Sequence, residues 1–345
     1  MAAIVETRDL TRRYGSMVAL DQLNLEIPQG AIFGFIGPNG AGKTTTMRIL
    51  TTLLPASGGE AWVAGHSVLK DPIGVRKVVG FMPDFFGVYD NMKVWEYLDF
   101  FGRSYSVTAA RRATMIGELL NLVDLGHKRD EFVMTLSRGM KQRLSLARTM
   151  IHDPALLILD EPASGLDPRA RIELRELLKE LRALGKTVMI SSHILTELAE
   201  MCTHIAIIER GRLLAAGDVQ TILRSLQPHR TLELRMLDGA DHAEALLRDY
   251  AGILDVRRDT TADMPDMIEQ AATADTAIPP NQPALEPAAN QQRSVTLLVD
   301  YAGDERGMGD LLTLLVTNGV LVTRFAEQSS DLEDIFMQVT KGIVQ

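Results

Sequence analysis

The residues with the clearest chemical purpose form the run Gly37-Pro38-Asn39-Gly40-Ala41-Gly42-Lys43-Thr44, which Thr45 follows. Its spacing fits the phosphate-binding pattern G-x-x-x-x-G-K-[ST]. Glycines allow the backbone to wrap around phosphate oxygens at φ values that other residues resist. Lys43 would add a full positive charge for the β- and γ-phosphates, and the Thr44 hydroxyl would ligate Mg²⁺. The run therefore predicts a site for the phosphates of a nucleotide.

The surroundings of this run are those that phosphate binding requires. The apolar run Ala31–Ile36 before it predicts a buried strand, and the apolar stretch Met47–Leu54 after it predicts a helix. The N-terminus of such a helix points N–H groups and a partial positive charge at an anion. The alternative, a glycine-rich turn that fits the pattern by chance, is disfavoured by this order of elements.

Two carboxylates complete the predicted chemistry, because the apolar run Leu156–Leu159 ends in Asp160 and Glu161. Such a run predicts a strand covered on both faces, which would deliver Asp160 to a magnesium ion. Glu161 could polarise a water molecule for attack on a γ-phosphate. The alternative is an acidic pair that only caps a strand, which is disfavoured in a chain that also carries a phosphate-binding loop.

The elements that must position these residues alternate between strands and helices across residues 1–225. Leucines and an isoleucine recur at three- and four-residue spacing over residues 172–184, and Gly185 then ends the predicted helix. This alternation implies a layered α/β domain whose sheet is at least partly parallel. Residues 86–150 interrupt the alternation as a mostly helical insert. Strands and helices are predicted at Val188–Ile190, Ile205–Ile208, Val94–Phe101, Ala109–Leu122 and Ser137–Met150.

Residues 226–345 predict a second, small α+β domain that contains a long flexible excursion. Residues 259–292 hold six acidic residues, no lysine or arginine, and five of the chain's 14 prolines, with much alanine and threonine. Such a segment buries too little apolar surface to offset the entropy of ordering it, so a linker or loop is expected. The structured pieces predicted around it are the strands Thr231–Leu237, Ser294–Val299 and Val320–Phe325, and the helices Gly309–Thr317 and Leu332–Val339.

The composition excludes several classes of protein. A formal net charge of −9 over 345 residues disfavours a nucleic-acid partner, which would need basic surface. The single cysteine, Cys202, rules out an intramolecular disulfide or a cysteine-rich zinc site and fits a reducing compartment. The first ten residues lack the apolar block of a signal peptide, and no apolar run approaches the roughly 20 residues that span a bilayer. A role at a membrane would therefore depend on a partner's helices.

Four further features make the sequence resemble the ATP-binding cassette (ABC) ATPases over about residues 3–225. The signature motif of that family resembles Leu136-Ser137-Arg138-Gly139-Met140-Lys141-Gln142-Arg143. The D-loop resembles Ser164-Gly165-Leu166-Asp167, the switch histidine resembles His193, and Tyr14 stands where an aromatic stacks on adenine. The two motifs described above are then the Walker A and Walker B motifs. The resemblance implies a P-loop ABC ATPase domain with a β-subdomain and the helical insert.

The resemblance also implies that the protein works as a pair. Ser137 and the N–H of Gly139 would bind the γ-phosphate of ATP held by the Walker A loop of a second ATP-binding subunit, a copy or a paralogue. Ser164 and Asp167 would lie in the D-loop, and His193 would sense the γ-phosphate. ATP and Mg²⁺ are the implied ligands, and permease subunits in the membrane are the implied partners. The chain would lie peripherally on the cytoplasmic face of the cell membrane.

Two departures from the family pattern affect these expectations. Asp84 stands where the family places a glutamine that touches magnesium and relays to the permease. A carboxylate there would repel a γ-phosphate by about 4 kcal/mol at about 4 Å unless a metal ion lies between them. We expect Asp84 to join the magnesium ligands. Arg138 replaces a glycine of the usual signature and adds bulk and charge; variants of this kind look like those of ATPases that serve ABC-2 type exporter permeases.

Aromatic residues and the C-terminal region bear on the partner. Half of the 18 aromatic residues fall within residues 81–105, where a helical core or a docking groove for the permease is expected. Phe85, Phe86 and Tyr89 are the predicted docking residues. The tail Ser330–Phe336 resembles that of ABC-2 type exporter ATPases, which favours export, and residues 226–345 would then serve dimer contact, regulation or merely stability.

Two other functions stay open on the sequence alone. A soluble ABC ATPase without a permease is disfavoured because only one cassette is present and no coiled-coil or zinc insertion separates its motifs. A nucleotide-gated regulatory subunit with little turnover is disfavoured because Glu161 is present. The transported molecule cannot be inferred from this chain, because in this family the permease selects it.

Overall fold

The computed structural model describes residues 2–84, 87, 89–226, 230–259 and 295–327, and only the backbone of residues 197 and 223–226. The chain divides into two compact units, with the boundary between Arg224 and Ser225. Phe85, Phe86, the acidic segment beyond residue 259 and the tail, with the helix predicted at Leu332–Val339, lie outside the described residues. Within the described ranges, no helix combines the length and apolarity that a bilayer crossing requires.

The first unit is a layered α/β structure with two sheets. In chain order its elements are β1 (Ala3–Tyr14), β2 (Met17–Pro28), β3 (Ile32–Ile36), α1 (Lys43–Leu50), β4 (Gly58–Val63), β5 (His66–Ser67), α2 (Pro72–Val78), β6 (Val79–Met82), α3 (Val94–Ser104), α4 (Ala109–Leu122), α5 (Arg138–Thr149), β7 (Leu156–Leu159), α6 (Pro168–Ala183), β8 (Thr187–Ser192), α7 (Leu195–Met201), β9 (His204–Glu209), β10 (Arg212–Asp218) and α8 (Val219–Leu226).

The central sheet of this unit has six strands in the order β10-β9-β3-β8-β7-β6. The five strands from β9 to β6 are parallel, and β10 adds an antiparallel edge. Every residue of β3, β7 and β8 is buried, which is why these segments are continuous apolar runs rather than alternating ones. The prediction of a partly parallel α/β sheet is confirmed.

The second sheet is antiparallel, with the order β2-β1-β4-β5. Strands β1 and β2 form a hairpin in which Tyr14 pairs with Met17. The buried residues Leu23, Leu25 and Ile27 alternate with exposed polar residues along β2, as expected for a strand with one covered face. No strand was predicted here from the sequence, although this alternation was the available signal.

The helices of the insert occur where they were predicted, with shifted ends. Helix α4 matches its predicted bounds, α3 extends three residues beyond Phe101, and α5 begins after Ser137. The Ser137 hydroxyl accepts a hydrogen bond from the Met140 N–H (3.3 Å), which makes this residue the N-cap of α5. Helix α1 begins at Lys43 and ends at Leu50, so the predicted helix Met47–Leu54 is wrong at both ends. The phosphate-binding turn itself runs directly into the helix.

The second unit has the order β11 (Arg230–Met236), α9 (Ala240–Arg248), β12 (Ile253–Arg258), β13 (Val295–Tyr301), α10 (Glu305–Thr317) and β14 (Val322–Glu327). Its sheet is antiparallel in the order β12-β13-β11-β14, which is the βαββαβ arrangement of ferredoxin-like domains. Leu234, Leu297, Val299, Leu311 and Leu315 lie fully buried in its core. Neither α9 nor β12 was predicted from the sequence, and α10 begins four residues before the predicted Gly309.

Candidate functional site

The predicted catalytic residues emerge from the same edge of the central sheet. Ile36 at the end of β3 pairs with Ser192 at the end of β8, so Gly37 and His193 follow neighbouring strands. The Gly37 N–H donates to the Ser192 carbonyl (3.4 Å). The carboxyl ends of parallel strands are where open α/β sheets bind their ligands. The phosphate-binding loop and the histidine are therefore brought together by the strand order, although 156 positions separate them in the sequence.

Strands β6 and β7 bring the acidic residues to this edge. Met82 pairs with Leu159, and the Asp160 N–H donates to the Met82 carbonyl (2.9 Å). Asp84 follows Met82 by two residues and is exposed, while the Asp160 side chain is buried with 3% of its surface accessible. The predicted metal-binding carboxylates thus leave adjacent strands at one edge.

The phosphate-binding loop needs glycine for both conformation and space. Gly40 and Gly42 have φ values of 83° and 110°, which side chains with a Cβ rarely adopt. A Cβ on Gly42 would lie 2.7 Å from Leu20 Cδ2 and 2.8 Å from the Ala19 carbonyl oxygen. Strand β2 therefore packs against the loop, and only glycine fits at the position that opens α1.

Lys43 is buried inside this loop. Its Nζ donates to the Gly37 carbonyl at 2.6 Å and lies 3.4 Å from Glu161 Oε1, while only 6% of the residue is accessible. A buried ammonium requires such partners because leaving it unpaired is costly. The loop thus holds one positive charge at the point where the sequence predicts phosphate oxygens.

Glu161 joins Lys43 to His193. One carboxylate oxygen faces Lys43, and the other lies 3.1 Å from His193 Nδ1. The three predicted catalytic residues therefore form one contiguous chain of contacts. His193 is about half exposed and Glu161 is largely buried, so the histidine faces the open side of the site. A carboxylate in this position can accept a proton from a water molecule beside the phosphate-binding loop.

The backbone of Glu161 is held in an uncommon conformation. Its φ of 49° lies in the left-handed region, which costs a non-glycine residue on the order of 1–3 kcal/mol. Two hydrogen bonds fix it: its N–H donates to Ser191 Oγ (2.8 Å), and its carbonyl accepts from the Ser164 N–H (3.0 Å). This strained turn is what aims the carboxylate at Lys43 and His193.

Ser191 is a site residue that sequence analysis missed. Besides accepting from Glu161 N–H, its hydroxyl donates to Asp160 Oδ1 at 2.6 Å. It therefore orients both acidic residues at once. The only available signal was a polar residue inside the buried strand β8, because a buried hydroxyl must find a partner.

The donor set suits a hard divalent cation. Thr44 at the start of α1 offers a hydroxyl, and Asp160 and Asp84 offer carboxylates, which are the oxygen ligands that Mg²⁺ takes. Among the described residues no group of three or more His, Cys, Asp or Glu side chains could hold a metal by itself. The set fits Mg²⁺ that completes its shell with phosphate oxygens and water.

Tyr14 lies at the turn of the hairpin formed by β1 and β2. Ala19 and Leu20 of β2 lie close to Gly42 in the phosphate-binding loop. The Tyr14 ring is 42% accessible, and the Arg12 guanidinium lies 4.6 Å from the ring centre. The Arg12 guanidinium thus lies over one face of the ring, and part of the ring remains exposed.

The residues that resemble the signature motif and the D-loop lie at two helix N-termini. Ser137 caps α5, and a Cβ on Gly139 would meet no atom within 4 Å, so this turn has open space around it. In the D-loop, the Asp167 side chain accepts from the Ala170 N–H at 2.7 Å and caps α6. Both turns thus lie at helix N-termini, where backbone N–H groups can bind anions.

The aromatic residues of the insert are partly core and partly surface. Tyr97 is fully buried, whereas Tyr89 and Phe100 are 53% and 44% accessible and pack edge to face with ring centres 5.6 Å apart. Of the predicted docking residues, Tyr89 is the one that lies in the described chain, and it is exposed.

A groove of about 610 Å³ lies beside β6 and helices α1, α2 and α5. Three arginines and no carboxylate line it among the described residues. Arg76 Nε donates to Thr52 Oγ1, and Arg148 donates to the Phe81 carbonyl, so neither guanidinium is neutralised by these contacts. The groove is lined by Arg48, Thr51, Leu53, Arg76, Val79, Phe81, Pro83, Tyr105 and Arg148.

This geometry defines a nucleotide-binding ATPase of the P-loop class, with a buried lysine, a strand-borne Asp-Glu pair and a histidine at one sheet edge. The ABC transporter family profile matches residues 20–164. A Nod factor export ATP-binding protein of Cupriavidus metallidurans is 36% identical over 269 residues, covering 78% of this chain and 84% of the relative. The chain therefore belongs to the ABC transporter ATP-binding proteins.

Other relatives and a solved structure support the same family assignment. A daunorubicin/doxorubicin resistance ATP-binding protein of Streptomyces peucetius is 37% identical over 70% of this chain and 73% of its own. A bacitracin transport ATP-binding protein of Bacillus licheniformis is 40% identical over 62% and 69%. The solved structure of an ATP-binding subunit of an ABC transporter aligns with a TM-score of 0.59 at 28% identity, over 64% of this chain and 92% of that one. This protein is thus the ATP-binding, ATP-hydrolysing subunit of an ABC transporter.

Proposed function

We propose that two copies of this chain, or this chain and a paralogue, close head to tail around ATP and drive an exporter permease. The observation that carries the proposal is the contact chain Lys43–Glu161–His193 at the mouth of the phosphate-binding loop. It supplies a cation for phosphate, a base for water and a sensor side chain in one place. The open turn at Ser137 and Gly139 offers the surface that a second subunit's nucleotide would need.

Each residue then has a distinct task in the closed pair. Lys43 and the loop N–H groups hold the β- and γ-phosphates, and Tyr14 stacks on the base. Glu161 takes a proton from the attacking water, and His193 contacts the γ-phosphate while its Nδ1 holds Glu161 in place. Ser137 and Gly139 of the opposite subunit close the site, and Ser164 and Asp167 line the junction.

Mg²⁺ would be held by Thr44, Asp160 and Asp84, and it would neutralise charge on the β- and γ-phosphates. Ser191 and the Met82 carbonyl fix Asp160 before any ligand arrives. Asp84 is exposed on the adjacent strand end, so it can reach the ion directly or through water.

We expect Asp84→Ala to raise the Mg²⁺ concentration needed for half-maximal ATPase activity by on the order of tenfold, because one carboxylate ligand is lost. Titration of activity with MgCl₂ at saturating ATP measures this. Asp255→Ala is the matched control, since Asp255 is exposed and pairs with Arg257 in the second unit. An unchanged magnesium midpoint would remove Asp84 from the proposed metal shell.

We infer export and the place of the chain at the membrane from the names of its relatives. Proteins named for Nod factor export, drug resistance and bacitracin transport cover most of its length. The chain would bind peripherally at the cytoplasmic face of the cell membrane. Tyr89, with Phe85 and Phe86, would contact the permease, and the arginine-lined groove would take an acidic segment of it, since opposite charges favour association.

Charge reversal tests this docking surface. Arg76→Glu should lower the fraction of the chain that sediments with membranes of its own host by on the order of tenfold, because it places a carboxylate in a groove suited to acids. Arg235→Glu carries the same charge change on the exposed face of β11 and should sediment as the wild type does. Equal sedimentation of the two variants would exclude the groove.

Complementation between two inactive variants tests the head-to-tail arrangement. Lys43→Ala damages the loop half of a site, and Ser137→Arg damages the signature half. A mixed dimer contains one site with both defects and one intact site, so equal mixing should restore about a quarter of wild-type turnover, since about half the dimers are mixed. Mixing Lys43→Ala with Glu161→Gln is the control, because every site then keeps one defect. Recovery in neither mixture would contradict sites shared between subunits.

A further inference from the structure

Arg138, the residue that departs from the usual signature, lies against the D-loop of its own chain. A Cβ built on Gly165 would lie 2.8 Å from Arg138 Nη2, 2.9 Å from Cζ and 3.3 Å from Nη1. These guanidinium atoms thus lie on the side of Gly165 where a side chain would project, so the group is in contact with this residue. We propose that Arg138 is a positioning residue that holds the D-loop through this contact and ties the signature turn to Glu161.

Glycine is favoured at position 165, and a larger residue there would displace Arg138. The φ of Gly165, 69°, lies in the left-handed region, and a side chain would collide with the guanidinium. The conformation and the contact therefore depend on each other. A flat guanidinium can lie against a peptide in this way, whereas the ammonium of a lysine cannot.

Hydrogen bonds also hold the D-loop at both of its ends. At one end the Ser164 N–H donates to the Glu161 carbonyl (3.0 Å), and at the other Asp167 caps α6. Between them the Leu166 N–H donates to the Ala163 carbonyl at 3.3 Å, which is a long hydrogen bond. Arg138 covers the middle of the loop, one residue from the amide that holds Glu161 in its left-handed turn.

The charges nearby indicate that this contact is not an ordinary surface ion pair. Arg138 and Gly165 line a cavity together with Arg143 and Arg169. Arg143 and Arg169 lie 3.9 and 3.2 Å from carboxylate oxygens of Glu173. No carboxylate of the described residues lies within ion-pair distance of Arg138. Its guanidinium therefore has Gly165 as its close neighbour rather than an acid.

The consequence for the ATPase cycle rests on the proposed function. Arg138 lies between Ser137 and Gly139, which would touch the nucleotide of the opposite site. A shift of that turn would move the guanidinium, Gly165 and then the Ser164–Glu161 hydrogen bond. Binding of nucleotide at the opposite site would thus change the position of Glu161 in this chain's own site, through contacts within one chain. Coupling of this kind needs an element that both sites can bias.

Hydrogen exchange on the full-length chain without nucleotide tests the contact itself. Arg138→Gly should speed exchange of the Ser164 and Leu166 amides several-fold, because the loop loses the group that covers it. Arg169→Ala, on the same cavity but with a side chain that is 90% accessible, should leave these amides unchanged. Unchanged protection in Arg138→Gly would overturn the proposal, whatever the state of the proposed dimer.

A double-mutant cycle tests the link to Glu161. Gly165→Ala should lower kcat by on the order of tenfold in the wild-type background, since small misplacements of a base are costly, with KM for ATP changed much less. In the Arg138→Gly background the same substitution should cost clearly less, because the collision is gone. Additive effects would overturn the coupling. Failure of the proposed dimer would appear separately, as loss of complementation between Lys43→Ala and Ser137→Arg.

Discussion

Lys43→Ala is expected to weaken ATP binding by on the order of 100-fold, which corresponds to about 2.7 kcal/mol. A loss of this size is expected when a charge-assisted hydrogen bond in a buried site is removed. Lys43 is the cation of the phosphate-binding loop, and its Nζ is already positioned by the Gly37 carbonyl at 2.6 Å. Its removal also leaves Glu161 without the ammonium that faces one of its oxygens. The first effect removes an attraction for the triphosphate, and the second adds a repulsion.

Titration with a fluorescent ATP analogue measures this loss. Lys179→Ala is the matched control, because Lys179 pairs with Glu176 on the surface of α6 and should bind nucleotide as the wild type does. Unfolding by denaturant should show that the variant is folded. Wild-type affinity in folded Lys43→Ala would mean that this loop is not the phosphate site.

Glu161→Gln should lower kcat by about 10²- to 10⁴-fold, the usual contribution of a general base, while ATP still binds. Glutamine keeps the shape of the side chain and can still hydrogen bond with His193, so the backbone turn at φ 49° and its bonds to Ser191 and Ser164 should persist. The substitution removes the basicity and little else. Binding should be at least as tight as in the wild type, since a negative charge beside the γ-phosphate is lost.

Single-turnover hydrolysis at saturating Mg-ATP separates this loss from a binding defect. Glu176→Gln, an exposed glutamate on α6, controls for the change of charge. Loss of less than about tenfold would mean that another group takes the proton, and the roles given to Glu161 and His193 would have to be revised.

The sequence alone predicted the parts of the site that lie in continuous runs. Residues 37–44 and 156–161 each combine a strand with the chemistry that follows it, so pattern and element agree locally. His193 and the signature needed the resemblance to the family, since a lone histidine or a Ser-Arg-Gly turn has no distinctive physical pattern. Their placement on helix N-termini and strand ends fits what the resemblance implied.

The parts that could not be predicted depend on contacts between distant segments. Ser191 bridges Asp160 and Glu161 only because β7 and β8 are neighbours, and Arg138 meets Gly165 only because α5 lies beside the D-loop. In the second unit, β11 pairs with β13 across about 60 residues that include a long acidic segment. No periodicity within one segment encodes such pairings, which explains why the βαββαβ order was not foreseen.

Light scattering of Glu161→Gln with and without Mg-ATP tests the central claim most directly. The claim is that Lys43, Glu161 and His193 form a hydrolytic site that a second subunit completes. The account predicts that ATP doubles the mass from 38.0 kDa and that the dimer persists, because the nucleotide is not hydrolysed. The wild type should form the same dimer only transiently. A Glu161→Gln chain that binds ATP and stays monomeric at every protein concentration would contradict the account.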